Sequence, residues 1–591
     1  MSAAGNARTF AWRLLPPLLL LAFYWPALTG WFFQDDFGWL RLRYDVHSAA
    51  DLPAALLAPK AHGNMRPLGE NAYWLVLGTA FGVEALPFRV VTFATAMGAL
   101  VLLGAAAERL LKSPAAAWAA QVLWITSCGL AEAMGWSSIY NQVLSGFFFL
   151  LAFYFLLRHA ESGEGRWWMA QWIAFLLGLG ALETNIVYPL LAVVYAALYA
   201  RPLLPKLPPL LAVALLAAGV HFYFAPAPHL GPYAPRVDAR IFTTLWTYWG
   251  WALGRMAPAM TVALTAAALA FTLRRALRGD YVPLIGFAWF LITLAPYLPL
   301  PEHKMDYYLA VPSIGVALAG ASAVAAARHA RLPWKAAAAV CLLCYLAASG
   351  RTAWAVTRWQ HDRGRRAEDF VSAVAEIRRS NPGKTILLDG MDNDLFWAAM
   401  VNLPFHAMRI PEVFLAPGGA RKIDAPADLL AEFVLPEEVA RRVLENEGAV
   451  VFRFDGDVLR NETMRYRAMA EAAFPRGTPR FVNIGDAIFA DYLGQGWGPA
   501  ADGYRAMRGP ATLRIGGPRS ADESLYIGVV HAGPFGLSLK VDGAPVPLEL
   551  LSRENDISVF RAAAPVGRTE LALTLETDLT EPLKFGFAAV R

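Results

Sequence analysis

Two adjacent acids, Asp35 and Asp36, directly follow the first apolar run of the chain. The negative end of a preceding helix and the edge of a membrane both make charge costly at such a position. A carboxylate that is partly desolvated beside a second carboxylate has a raised proton affinity, which suits a general base. Asp35 and Asp36 are therefore candidate catalytic residues, and the plainer interpretation is that they only mark the end of a membrane span.

Further charged residues recur in the segments between later apolar runs. Arg66 is a candidate phosphate ligand that could equally pair with the two acids or anchor a lipid headgroup. Glu132 stands four residues before Trp136, so the two side chains could share a helix face. Glu183 interrupts a long apolar stretch, where an unpaired acid is costly, and the alternative to a functional role is an ion pair that serves packing.

The segment 297–308 is the most polar of these connections. It contains His303 and Lys304 among two acids and several tyrosines, Tyr307 included. Cations in such a loop suit a phosphate or an anionic lipid headgroup, so His303 and Lys304 are candidate phosphate contacts. No ligand spacing argues for a metal, so no cofactor is expected to be required, and a divalent cation is left open. Nothing in the sequence indicates nucleic acid binding.

The composition places these residues in a membrane protein. The 591 residues are 57% hydrophobic and 17% charged, which is too apolar for a soluble protein of this size. Apolar runs near the ~20 residues needed to cross the hydrocarbon predict a polytopic α-helical protein with about eleven transmembrane helices. The predicted spans lie near 14–30, 88–107, 114–131, 143–157, 168–182, 186–200, 207–225, 254–273, 281–299, 309–327 and 334–350.

The basic residues predict the orientation of these helices. Arginines and lysines fall on alternate connections, beginning with Arg8 and Arg13, and the positive-inside rule assigns those connections to the cytoplasm. The N-terminus is then cytoplasmic. The intervening loops, which we call the outer loops, face the periplasm together with the C-terminal region. The expected location is the cell inner membrane, in a multi-pass arrangement.

After residue 350 the chain has the composition of a soluble region. Patterns of helix and strand first alternate, as in an α/β domain. From residue 511 the runs are short and alternating, with Asp542-Gly543 as a hairpin signal, which predicts a β-sandwich or jelly roll. The predicted domains are 1–355 (transmembrane), 356–490 (periplasmic α/β) and 491–591 (periplasmic β-sandwich).

The order of the motifs provides a family resemblance. An Asp pair after the first helix is followed by Arg-Pro-Leu at 66–68, Glu-Ala-x-x-Trp at 132–136, Glu-Thr before an apolar run at 183–191 and Tyr-Tyr-Leu-x-x-Pro-Ser-x-Gly at 307–315. In this order they resemble the GT-C superfamily of polytopic glycosyltransferases, which use polyprenyl-phosphate-linked sugars. Within it, they are similar to the bacterial relatives of the transmembrane O-mannosyltransferases.

The resemblance implies a site as well as a fold. It implies Asp35 or Asp36 as the catalytic acid residue of the first outer loop. It also implies a donor and acceptor pocket lined by Arg66, Glu132, Glu183, His303, Lys304 and Tyr307. The chain departs from the family at Leu182, where a lysine is common before Glu-Thr, and it lacks tetratricopeptide repeats. The position of the phosphate contacts and the acceptor recognition are therefore not carried over.

The expected activity is transfer of a sugar from a polyprenyl-phosphate-linked donor to an acceptor hydroxyl, on the periplasmic side and with inversion. The acceptor is a glycan, a lipid or a protein, and membrane lipids surround the helices. The alternatives are a transporter or flippase for a lipid-linked glycan, which should show internal repeats or broken helices, and a non-catalytic scaffold. In the C-terminal region, Trp497 and Tyr504 could stack on sugar rings or belong to the core of their own domain.

Overall fold

The computed structural model describes residues 14–60, 63–228, 231–456, 458–501, 503–531, 533–554 and 557–591. The basic N-terminus with Arg8 and Arg13, on which part of the predicted orientation depends, lies outside the described residues. The chain divides into two compact units, Met1–Glu368 and Asp369–Arg591.

The first unit is helical. Its α-helices are α1 (Leu14–Phe23), α2 (Trp25–Leu28), α3 (Asp36–Leu40), α4 (Leu52–Leu57), α5 (Tyr73–Phe81), α6 (Ala85–Leu111), α7 (Pro114–Ile125), α8 (Cys128–Gly135), α9 (Tyr140–Ser162), α10 (Gly165–Ala181), α11 (Tyr188–Tyr199), α12 (Pro208–Phe224), α13 (Arg240–Ala252), α14 (Pro258–Ala276), α15 (Val282–Leu294), α16 (Pro312–Ala327) and α17 (Leu332–Ser380). Proline opens four of them (α7, α12, α14 and α16), where its missing N–H would have had no partner within the helix.

The helices are those of a membrane protein. Among the described residues, four helical stretches are long and apolar enough to cross a membrane: Ala85–Leu111, Ser137–Ser162, Pro258–Ala276 and Leu332–Ser380. Six further apolar helices are 10–17 residues long. A helix lies within each of the eleven predicted spans, and the count of eleven crossing helices stays a prediction. The outer loops also contain α5 and α13, which the sequence did not predict.

Small residues allow two of the apolar helices to approach closely. A Cβ placed on Gly315 of α16 would lie 2.2 Å from the carbonyl oxygen of Gly286 in α15. Such close backbone contact is typical of helix pairs in membranes, where small residues form the interface. The pairing fixes the start of α16, where the motif 307–315 ends.

α17 is one continuous helix that begins in the first unit and ends in the second, although the predicted span ends near residue 350. Its middle part packs against the outer loops of the first unit. Gln360 donates to the carbonyl of Glu132 at 3.3 Å, and a ring nitrogen of His361 is bonded to the carbonyl of Pro26 at 2.9 Å. A Cβ on Gly364 would lie 2.8 Å from the carbonyl oxygen of Trp31. The helix therefore supports the loops on which the candidate site residues lie.

The second unit begins with a small α/β layer. Its helices are α18 (Asn393–Ala399), α19 (Pro404–Ala407), α20 (Ala427–Phe433), α21 (Glu437–Glu445) and α22 (Thr463–Ala473). Its sheet has the order β2-β1-β3-β4, with β1 (Thr385–Asp389) parallel to both β2 (Val413–Leu415) and β3 (Ala449–Asp455). β4 (Val458–Asn461) closes the sheet as an antiparallel edge. Every residue of β1 is buried, as expected for the centre of a parallel sheet.

The rest of the second unit consists of two antiparallel sheets. The strands are β5 (Phe481–Asn483), β6 (Trp497–Ala501), β7 (Tyr504–Met507), β8 (Ala511–Gly516), β9 (Ser524–Val530), β10 (Leu537–Val541), β11 (Ala544–Val546), β12 (Leu548–Glu554), β13 (Ile557–Ala563), β14 (Glu570–Thr577) and β15 (Leu583–Val590). One sheet has the order β11-β10-β14-β8, and the other has the order β12-β13-β9-β15-β7-β6, with β5 added to β15.

The predicted β-rich C-terminal region is confirmed, including the hairpin at Asp542-Gly543. Both of these residues have positive φ, as a tight hairpin turn requires. Leu573 of one sheet and Phe585 of the other belong to a single hydrophobic cluster, which also contains Leu387 of the α/β layer. The proposed boundary near residue 490 stays a prediction. The sequence missed β12, because Leu-Glu-Leu-Leu lacks a clean alternation of polar and apolar residues.

Candidate functional site

The two acids of the first outer loop have different surroundings. Asp36 is fully buried and accepts hydrogen bonds from the Ser138 amide (2.8 Å), the Ser138 hydroxyl (2.6 Å) and the Phe33 amide (3.3 Å). Burial raises the pKa of Asp36 to about 6, against the opposing effects of Arg89 and these hydrogen bonds. Asp35 precedes α3 at its N-cap position and is exposed. Asp36 thus anchors the loop, and Asp35 lies at the surface.

The sequence around the pair explains this division. Gln34 has a φ of 53°, a left-handed conformation that turns the chain sharply before α3. The preceding aromatic residues fix that turn. Phe32 is buried with its ring 5.1 Å from that of Phe88, and Phe33 stacks on Trp136 at 5.8 Å. With both rings packed inward, Asp36 turns towards Ser138 and Asp35 remains at the surface.

Arg66 pairs with two other acids instead of the Asp pair. Its Nε and Nη2 donate to the two carboxylate oxygens of Glu183, each at 2.6 Å, and its Nη1 pairs with Glu70. Glu70 also accepts from the amide of Asn141 at 2.6 Å. Two carboxylates around one guanidinium leave a net charge of −1. Arg66 is therefore held in place by the protein, with little positive charge to spare for a phosphate.

Glu132 supports the loop that leads into α16. Its carboxylate accepts the backbone N–H of Tyr307 at 2.9 Å. Burial and the neighbouring Asp306 raise the pKa of Glu132 to about 7, although Tyr307 and Arg255 act in the opposite direction. Trp136 lies just beyond the end of α8, so it does not share a helix with Glu132 as expected. Its ring nevertheless lies 6.1 Å from that of Tyr307, so both residues contact the same tyrosine.

His303 and Lys304 lie in the fifth outer loop, the segment 297–308, and have different surroundings. The imidazole of His303 packs against the ring of Tyr233 in a tilted arrangement, with centroids 4.2 Å apart and an interplanar angle of 37°. Burial lowers the pKa of His303, so the ring is neutral at pH 7. Its Nε2 is buried and has no hydrogen-bond partner within the part of the chain that the structure describes. The ammonium of Lys304 donates to the carbonyl of Pro301 and keeps further N–H groups for a ligand.

Tyr233 connects the first outer loop with the fifth. Burial and the Asp35 carboxylate raise the pKa of Tyr233, whereas Arg66 lowers it, so both charges act on the same phenol. Its ring packs on His303. The loop that contains Tyr233 is fixed by Arg236, whose backbone N–H donates to the Pro299 carbonyl at 2.6 Å. Tyr233 thus contacts His303 through its ring and interacts electrostatically with Asp35 and Arg66.

Three residues of this region were missed in the sequence. Tyr233 lies in a loop of prolines and glycines without a recognisable motif, and Ser138 has no signal of its own. Arg89 could have been found, because a lone arginine inside an apolar span is a candidate functional residue by default.

Two other expectations concern metals and sugars. Among the described residues there is no group of three or more His, Cys, Asp or Glu side chains that could hold a metal ion.

In the β-rich region, the indole of Trp497 donates to the carbonyl of Thr512 at 2.7 Å, and its ring packs 5.4 Å from that of Phe585. Trp497 therefore packs against the core of its own domain, which favours a structural role for this aromatic residue.

Comparisons with known proteins give structural matches alone. No family model matches the sequence, and no curated protein matches it. ArnT from Cupriavidus metallidurans, in a crystal structure with undecaprenyl phosphate bound, matches with a TM-score of 0.47 and 13% identity over 81% of this chain and 96% of that chain. Arabinofuranosyltransferase AftD from Mycobacteria matches with a TM-score of 0.45 and 12% identity, and this chain spans 60% of its length while 98% of this chain is covered.

A third match is arabinosyltransferase EmbB from Mycobacterium smegmatis, with a TM-score of 0.32 and 12% identity over 98% of this chain and 64% of that chain.

Proposed function

We propose that this chain is a membrane glycosyltransferase that transfers a sugar from a polyprenyl-phosphate donor to an acceptor hydroxyl on the periplasmic side of the inner membrane. The observation that supports this most directly is the convergence at Tyr233. The ring of His303, a candidate donor-binding residue, packs on that tyrosine, and the charges of Asp35 and Arg66 act on its hydroxyl. A polyprenyl phosphate is also the lipid bound in the ArnT structure.

Asp35 is the proposed general base. It is exposed, so an acceptor can reach it. The acceptor hydroxyl gives its proton to Asp35 while its oxygen attacks the anomeric carbon. A bond forms between that oxygen and the carbon, and the bond from the carbon to the phosphate oxygen breaks. Lipid monophosphate leaves, and in-line attack inverts the anomeric configuration.

Lys304 is the proposed main cation for the donor phosphate. Its ammonium uses one hydrogen bond on a backbone carbonyl, so the others can reach phosphate oxygens. His303, neutral at pH 7, contributes a hydrogen bond rather than charge. Arg66 contributes hydrogen bonds to the donor and little net charge, since its charge is already balanced by Glu70 and Glu183.

The other site residues shape the pocket. Glu183 holds Arg66, and Glu132 holds the backbone at Tyr307. Because a monophosphate leaving group carries less charge than a nucleotide diphosphate, we expect that no divalent cation is required.

Product analysis tests the proposal. The purified protein, in lipid nanodiscs, is supplied with radiolabelled polyprenyl-phosphate sugars and with candidate glycan, lipid and peptide acceptors, with and without EDTA. The expected result is a glycosylated acceptor of inverted anomeric configuration by NMR, with lipid monophosphate released in equal amount. Retention of configuration, or consumption of donor without lipid monophosphate, would contradict the proposal.

A further inference from the structure

Arg89 is a buried arginine that the mechanism above does not use. It lies near the start of α6, an apolar helix long enough to cross a membrane, and its exposed fraction is only 1%. An ionisable side chain at such a place is costly and is usually retained for a partner or a function. The partners of Arg89 lie in the turn that leads to the Asp pair.

Arg89 binds that turn through its backbone. Its Nη2 donates to the carbonyl of Trp31 at 2.9 Å, and its Nε donates to the carbonyl of Gly30 at 3.4 Å. Both carbonyls follow the end of α2, where a cation also balances the negative end of a helix. Its charge acts on the buried Asp36 as well, which in turn binds Phe33 and Ser138.

These contacts attach the 30–36 turn to the rest of the helical unit on two sides. Arg89 holds residues 30 and 31 from α6, and Asp36 holds the other side of the turn against Ser138. Asp35 lies next to Asp36 at the start of α3, and its backbone position follows from both attachments. The position of the exposed carboxylate thus depends on two buried charged residues.

We infer that Arg89 is a positioning residue, which holds the 30–36 turn so that Asp35 faces the acceptor. This inference rests on the proposed function for its effect on transfer, but the attachment itself can be measured separately. An arginine suits the role better than a lysine, because its planar fork donates to two carbonyls at once while keeping its charge.

The test compares Arg89→Met and Arg89→Lys with Arg109→Met, a matched control at the other end of the same helix, where Arg109 pairs with Glu161. Hydrogen exchange of the peptide 30–40 in nanodiscs reports the attachment. For Arg89→Met we expect about tenfold faster exchange there, with wild-type rates in the control. Arg89→Lys keeps the charge but makes fewer hydrogen bonds, so its exchange rate should lie between those of the wild type and Arg89→Met. This variant provides the test if Arg89→Met does not fold.

Sugar transfer reports the consequence. Because small displacements of a reacting group can cost about 100-fold in rate, Arg89→Met should lower kcat by that order, with the KM for the donor unchanged. Wild-type exchange of the turn in both variants would overturn the inference, and so would faster exchange with an unchanged kcat. If the turn loosens as expected but the wild-type protein transfers no sugar, the proposed function fails while the attachment by Arg89 stands.

Discussion

The guanidinium of Arg66 meets the carboxylate of Glu183 in a two-bond pair, with both N–O distances at 2.6 Å, across 117 residues of sequence. The pair joins the first outer loop to the segment between α10 and α11. Glu70 takes the remaining side of the guanidinium, so the arginine is held on both sides by carboxylates of the protein.

This pair predicts a strong coupling in stability. Removing Arg66 leaves the carboxylates of Glu70 and Glu183 without their cation, so Arg66→Gln should lower the free energy of unfolding by about 3–5 kcal/mol. The double variant Arg66→Gln/Glu183→Gln should cost less than the sum of the single variants. Thermal unfolding in detergent measures this, with Arg240→Gln of the exposed Arg240–Asp238 pair as a control without measurable effect. Additive losses would show that the two residues do not interact.

Glu132 predicts a pH dependence of stability. Its pKa in the folded protein is about 7, above its ordinary value of 4.5, so the folded state binds the proton more tightly than the unfolded state. Stability should therefore be highest at low pH and fall as the pH rises from about 4.5 to about 7, by roughly 3 kcal/mol from this group. Glu132→Gln should flatten that fall when the unfolding temperature is followed against pH. An unchanged slope in the variant would contradict the assignment.

Part of this site could be predicted from sequence. The motif order located the Asp pair, Glu183 and the polar loop before α16, because membrane loops with charges are few and stand out against apolar runs. The division between Asp35 and Asp36 could not be predicted, since it depends on Ser138, which is 102 residues away. Long-range contacts of this kind leave no periodic signal.

The same limit applies to Arg66 and to the fold. The sequence offered several acids as partners for Arg66, and spacing alone could not choose among them. In the helical unit the apolar runs predicted the positions of helices well. The continuity of α17 was missed, because Gly350 stands where the sequence changes from apolar to polar and suggests a helix end, although the helix continues through it.

Lys304 predicts a change in donor affinity. If its ammonium holds the donor phosphate, Lys304→Gln loses a charge-assisted hydrogen bond to that phosphate. The KM for the donor should therefore rise by about 10- to 100-fold, with a smaller effect on kcat. Lys60→Gln, on the first outer loop beside Asp45, is the matched control. Steady-state kinetics with varied donor concentration distinguishes them, and an equal KM in both variants would remove Lys304 from the phosphate site.

Tyr233 predicts a difference between its ring and its hydroxyl. Tyr233→Phe keeps the stack on His303, so its kcat/KM should stay close to that of the wild type. Tyr233→Ala loses the ring contact, which is worth about 0.5–1.5 kcal/mol, so its kcat/KM should fall about tenfold. Tyr223→Ala, on the exposed face of α12, serves as the control. A loss in Tyr233→Phe as large as that in Tyr233→Ala would show that the hydroxyl, and not the stack, contributes to transfer.

The most direct measurement compares the transfer rates of Asp35→Asn and Asp45→Asn, two exposed acids of the same outer loop, in nanodiscs with saturating labelled donor. If Asp35 is the general base, Asp35→Asn should lower kcat by about 100- to 10,000-fold while Asp45→Asn transfers at the wild-type rate. Equal rates in the two variants would contradict the account.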